Sequence, residues 1–164
     1  MKDAQYWIDH LQLIPHPEGG FYKETYRASE TIPASVLPAR FDGRRNFSTA
    51  IYFLLRSQDR SMFHRIQSDE LWHYHAGGSL SIYVLQKQQL TIHKLGPDVD
   101  KGDALQIVVP AGCWFGAKAE QPETYTLSGC TVAPGFDFQD FELADRKKLL
   151  SEFPAYSEVI EMLT

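Results

Sequence analysis

The chain has little that would place it outside the ordinary water-soluble globular class. It has only two cysteines, Cys113 and Cys130, far apart and each in apolar surroundings. That excludes a disulfide framework and a zinc ribbon, and points to reduced, buried thiols. No apolar run approaches the roughly 20 residues needed to span a bilayer. The first residues lack the apolar core of a secretory leader, so a cytoplasmic location is expected and a membrane partner is not. Positive charge is also scarce: 16 Lys and Arg stand against 21 Asp and Glu, for a formal net charge of -5. A nucleic-acid surface needs clustered cations. The longest basic run, Arg146-Lys147-Lys148, reads as a solvated helix face. No internal repeat or low-complexity tract interrupts the chain, and the expectation is one domain over residues 1–164.

What is plentiful is β-forming and aromatic residues, the latter at 13 %. A short amphipathic helix is predicted over the first dozen residues from Tyr6, Trp7, Leu11 and Ile14, with Asp3 as its cap. The stretch Pro15-His16-Pro17-Glu18-Gly19-Gly20 ends it. Phe21–Arg27 alternates, with Tyr22, Glu24 and Tyr26 on one face. Residues 28–46 form a long connection, expected as a lid or arm. Strands follow at 47–55, 61–66, 70–75, 79–85, 89–95, 105–109, 114–118 and 125–132, separated by short Gly, Pro and polar turns. That rhythm describes a sandwich or barrel, not a βαβ fold. The predicted core spans about 18–143, and a helical tail at 144–164 carries apolar stripes suited to packing on the core or on a partner subunit.

Chemistry concentrates in His64 to Gly77, which holds three of the six histidines and the acids Asp69 and Glu70. Here the chain resembles the cupins, whose first motif runs G(X)5HXH(X)3-4E(X)6G and whose second runs G(X)5PXG(X)2H(X)3N. His64, Glu70 and Gly77 keep their places in the first. Ile66 stands where the second histidine would be. Gly102 and Pro110-Ala111-Gly112 resemble the second motif, with Phe115 at its histidine. The sequence is similar to one branch in particular, the Cupin_5 (DUF985) group of the RmlC-like superfamily. The likeness runs through His16 to Tyr22, Ser68 to His75 and Ala133-Pro134-Gly135-Phe136.

The resemblance implies a mainly β jelly-roll barrel with a short N-terminal helix and C-terminal helices, and a homodimer. It implies no particular activity. The expected role is binding of a small organic molecule in the barrel, with metal-independent epimerase- or isomerase-type chemistry on a sugar nucleotide or carbonyl metabolite. His64 would then be the base, Glu70 would orient or tune it, and Tyr74 would return the proton. Arg44, Arg45 and Arg65 are the cations available to a diphosphate. Tyr22, Glu24, Tyr26, Trp72, Trp114 and Phe115 are the expected lining. A non-catalytic binding module is the first alternative and a metal-dependent dioxygenase or isomerase the second. No cofactor is favoured, because only two of the four usual ligand positions are kept. A divalent metal would have to use His64, Glu70 and His75. Strand parity places His73 and His75 opposite Glu70, Trp72 and Tyr74. His64→Ala is expected to leave the fold intact and impair binding.

Overall fold

The computed structural model describes residues 2–164. Helix α1 (Ala4–Leu11) is capped by Asp3, whose carboxylate accepts from the Tyr6 amide, and closes at Gln12 in the left-handed region. Strands β1 (Ile14–Pro15), β2 (Phe21–Arg27), β3 (Thr31–Ile32), β4 (Arg45–Asn46) and β5 (Thr49–Arg56) follow. Then come β6 (Ser61–Arg65), β7 (Asp69–Gly77), β8 (Leu80–Gln86), β9 (Gln89–Leu95), β10 (Gln106–Val109), β11 (Trp114–Ala119), β12 (Tyr125–Ala133) and β13 (Glu142–Leu143). Helices α2 (Arg146–Glu152) and α3 (Ser157–Met162) end the chain.

Two sheets face each other. One has the order β1-β2-β5-β12-β7-β10 and the other β13-β6-β11-β8-β9. From β5 to β8 successive strands switch sheets, and from β10 to β12 they do so again. The resulting orders, β5-β12-β7-β10 against β6-β11-β8-β9, are those of a jelly roll. Between the sheets lies a core built from both inner faces, including Phe53, Trp72, Ile82, Val84, Ile107 and Phe115.

The pattern of each strand follows from what covers it. β10 has only its inner face covered and alternates, with Ile107 and Val109 buried and Gln106 and Val108 exposed. β8 is buried along both faces, because its outer side is covered too. There Leu85, with Phe63 and Trp114, meets Leu149, Phe153, Ile160 and Leu163 of the tail. The apolar stripes of the tail are thus spent on the chain's own five-stranded sheet. Helix α1 covers part of the other sheet's outer face at Leu54 and Leu127.

Residues 28–46 are an ordered arm. β3 pairs with β4, and the buried Arg45 guanidinium makes a two-point bond to Asp140 at 2.6 and 2.7 Å. That pair fastens the arm to the 138–140 turn. Sequence patterning also missed two irregularities. In β2, Glu24 pairs with Ile51 but Tyr26 pairs with Ala50, leaving Thr25 as a bulge. In β7, the register skips His75 between Tyr74 and Ala76.

Among the described residues, no helix is long and apolar enough to cross a membrane.

Candidate functional site

The turn after α1 delivers two side chains that periodicity could not place. The His16 amide donates to the Gly20 carbonyl and the Gly19 amide to the His16 carbonyl around the turn, and the Met62 amide donates to the Glu18 carbonyl. Gly19 has φ +113°, and a Cβ there would lie 2.0 Å from the Arg60 carbonyl oxygen. Only glycine permits so close an approach. The turn therefore lies against β6 and inserts the Glu18 carboxylate beside His64.

Glu18 and His64 are both buried, at 5 % and 2 % exposure. Glu18 Oε2 is 3.0 Å from His64 Nε2, and Oε1 accepts from the Ser61 hydroxyl at 2.7 Å. His64 Nδ1 faces the Met62 carbonyl at 2.7 Å. A carbonyl only accepts, so Nδ1 carries a proton. Burial is the largest influence on both groups and opposes both charges. The mutual attraction of Glu18 and His64, with their hydrogen bond, outweighs it. Glu18 is held below the usual carboxylate range and His64 above the usual imidazole range. The two form an imidazolium–carboxylate pair. His16 lies on the other side of Glu18. Its Nδ1 accepts from the Glu18 amide at 3.2 Å, and burial pulls its pKa down. His16 is therefore neutral, with its proton on Nε2.

These groups open onto a cavity of about 300 Å³. Its walls are Ile51, Phe53, Ile66, Trp72 and Val132, with Phe136 and Phe138 as a lip and Arg27 and Glu24 beside it. Glu70, 8 % exposed, also lines it. Burial is the main cause that raises the Glu70 carboxyl to about 7; His64 opposes the rise and Glu18 adds to it. Among the described residues, the one side chain that hydrogen-bonds it is the Cys130 thiol. The same burial and the Glu70 charge push the Cys130 thiol well above its ordinary value, so it is a poor nucleophile.

The structure brings His64, Glu70, Tyr22, Glu24 and Trp72 together, as the sequence suggested. It separates the others. The Thr25 bulge reverses parity in β2, so Tyr26 is 55 % exposed on the outer face and Arg27 takes the inner position. Tyr74 lies beyond Trp72, toward the opposite end of the sandwich, and its hydroxyl donates to the Gly77 carbonyl. It cannot return a proton at this site. Trp114 faces the tail helices, with Arg65 stacked over its ring. Phe115 is buried behind His64, ring centroids 4.1 Å apart, and does not line the cavity. His64 is paired with Glu18, and among the described residues no ion pair within 4.0 Å joins it to Glu70. Arg45 and Arg65 are bound to Asp140 and Glu142. Among the cavity residues that sequence reasoning missed are the polar ones His16, Glu18, Arg27 and Cys130, and the apolar walls Ile51, Phe53 and Val132. One available signal was the dense His-Pro-Glu-Gly-Gly string, which read as a helix stop and as part of the family likeness but was given no place in the site.

The residues do not fit the usual cupin metal set of three histidines and a glutamate. Two of its four positions are Ile66 and Phe115, and both His64 nitrogens are engaged. His73 and His75 face outward: His73 bonds Thr131 and Gln106, and the His75 ring lies over Gly129 on the outer face. Among the described residues no group of three His, Cys, Asp or Glu is placed to hold a metal ion.

A jelly roll with a polar cluster at one end of its core defines the class as a cupin. The sequence matches the Cupin_5 family, Cupin superfamily (DUF985), over residues 5–144, and the chain belongs to that family. It is 32 % identical over 148 residues to the uncharacterized protein YML079W of Saccharomyces cerevisiae, covering 85 % of this chain and 74 % of the yeast protein. Protein SO0799 from Shewanella oneidensis superposes with a TM-score of 0.88 at 40 % identity, over 100 % of this chain and 98 % of that one. A hypothetical protein from Leishmania major gives 0.90 at 35 %, over 99 % of each. Oxalate decarboxylase from Bacillus subtilis shares the fold alone, at 0.54 and 13 % identity over 92 % of this chain and 36 % of that one.

Proposed function

We propose that the cavity binds a small carbonyl compound and that Glu70 moves a proton to and from the carbon beside its carbonyl, without a metal. The observation that carries this is Glu70 itself: a buried carboxyl, open to a cavity and free of strong hydrogen-bond donors, whose pKa of about 7 suits both taking and returning a proton at neutrality. Neutral His16, with its Nε2 proton, is the candidate donor to the carbonyl oxygen. This reading moves the base from His64, whose two nitrogens are engaged, to Glu70. His64 becomes a positioning residue that holds the Glu18 charge. The same engaged nitrogens favour a second reading, a binding module with no turnover.

The test is proton exchange in D2O, followed by NMR with butan-2-one, glyceraldehyde and acetophenone. The expected result is protein-dependent deuterium incorporation beside the carbonyl. It should rise as pH passes through about 7 and disappear in Glu70→Gln. Saturable binding without incorporation would overturn the catalytic part and leave the binding module. Absence of binding by all three would overturn both.

A further inference from the structure

The charged groups around the cavity cancel one another. The Glu18 carboxylate and the His64 imidazolium form one closed pair. Arg27 and Glu24 form a second: Nε and Nη2 of the guanidinium donate to the two Glu24 oxygens at 3.0 and 2.8 Å. The remaining nitrogen, Nη1, donates to Asn46 Oδ1 at 2.9 Å and to the Phe136 carbonyl at 3.1 Å. Each nitrogen of the one arginine lining the cavity therefore has a partner within the protein, and its charge has a partner too. His16 is neutral. What remains is Glu70, which contributes either no charge or a negative one. An anion entering the cavity would find no uncompensated cation. It would also lose its hydration among Ile51, Ile66, Val132, Phe136 and Phe138. A diphosphate, or a carboxylate beside the carbonyl, is the wrong chemistry for such a site.

Phe138 strengthens the case. It is 52 % exposed although it lines the cavity, and it meets Phe136 edge-on with centroids 4.9 Å apart. An apolar lip of this kind suits a ligand with an apolar end.

We infer that the cavity selects uncharged, amphipathic carbonyl compounds over carboxylated or phosphorylated ones, and that Glu24 sets this selection by occupying the Arg27 guanidinium. This rests on the reading that the cavity is the ligand site. The polar end of the ligand faces Glu70 and His16. The apolar end lies against the Phe136 and Phe138 lip. Glu24 is then a specificity-determining residue: removing its carboxylate leaves Arg27 with two unoccupied nitrogens and only Asp137, beyond ion-pair distance, as a nearby negative group.

The experiment compares two ligands of one shape, acetophenone and phenylglyoxylate, by NMR titration at pH 7. Acetophenone should bind about tenfold more tightly to the wild-type protein, a ratio equal to about 1.4 kcal/mol. Glu24→Gln keeps the length of the side chain at a position that is 40 % exposed, so the variant is expected to fold. It should bring the two affinities close together or reverse them. Glu24→Gln combined with Arg27→Gln should restore the preference for acetophenone, because the freed cation is gone. Equal or tighter binding of phenylglyoxylate by the wild-type protein would overturn the inference and leave the cavity reading standing. An unchanged ratio in Glu24→Gln would overturn the assignment to Glu24. No saturable binding of either ligand would overturn the inference together with the cavity reading.

Discussion

Replacing Glu70 by glutamine isolates the cost of keeping a carboxyl in this cavity. In the folded chain the group titrates at about 7, against an ordinary value of 4.5. Between those values the folded state holds a proton that the unfolded state has released. Stability therefore falls as pH rises from about 4.5 to about 7, and is flat above that. At about 1.4 kcal/mol per tenfold change in proton affinity, the full penalty is about 3 kcal/mol. About a quarter of it is present at pH 5 and nearly all at pH 8. Glutamine has almost the same shape and does not titrate. Whatever fixed cost the substitution brings is present at both pH values and cancels in the difference. Relative to wild type, Glu70→Gln should gain about 2–3 kcal/mol of stability between pH 5 and pH 8. For a chain of this size that is a relative rise of about 5–10 °C in Tm, read from thermal melts of both proteins at the two pH values. The other titrating groups occur in both proteins and drop out to first order. A difference between the two proteins that does not change with pH would refute the premise that Glu70 is buried without a compensating cation.

Other substitutions test how the site is held. His64→Ala should destabilise by about 3–5 kcal/mol in urea unfolding, because it leaves the buried Glu18 carboxylate without its counter-charge. This replaces the sequence-based expectation of an intact fold. Either Arg45→Leu or Asp140→Leu should cost a similar amount, about 3–5 kcal/mol, while the double substitution should cost much less than their sum, measured as a double-mutant cycle. Gly19→Ala should lose well over about 1 kcal/mol from its left-handed backbone alone. By shifting the turn it should also weaken the Glu18–His64 pair, which the chemical shifts of the His64 ring would report.

Strand positions were legible in the sequence because burial imposes a period on them. β8 and β10 show the two forms of that signal, a nearly continuous apolar run where both faces are covered and alternation where one is open. That Glu70 and Trp72 share one face and His73 takes the other followed from parity; which of the two faces is inward is seen in the structure. Parity failed where a bulge intervened. Nothing in Phe21–Arg27 marks Thr25 as the extra residue, since a bulge is fixed by the neighbouring strand and leaves no composition of its own. The error exchanged Tyr26 for Arg27, and with it the charge balance at the cavity mouth. Contacts between distant segments were equally hidden. Trp114 and Phe115 are adjacent aromatics, yet one serves the tail interface and the other the space behind His64.

The step that decides the chemistry is the arrival of Glu18. His64 and Glu70 occupy the two of the four ligand positions that this chain keeps from the cupin motifs, on β6 and β7. With Ile66 and Phe115 at the other two positions, a buried His64 lacks the neighbours of a metal site. Left alone, a buried imidazole would be neutral. The glycine turn brings a carboxylate to it from outside the two sheets, and the pair becomes charged but balanced. That balance has a consequence for Glu70. The positive charge of His64 draws the Glu70 pKa down, and Glu18 opposes it by pushing Glu70 upward, on top of the larger effect of burial. The Gly19-Gly20 turn, read from sequence as the end of the first helix, thus adds to the proton affinity that burial already gives Glu70. Burial remains the main cause of the raised Glu70 pKa, and without Glu18 the buried His64 loses its reason to be charged. Glu18→Gln should therefore keep Glu70 titrating above the ordinary carboxylate range, read from the pH dependence of thermal melts.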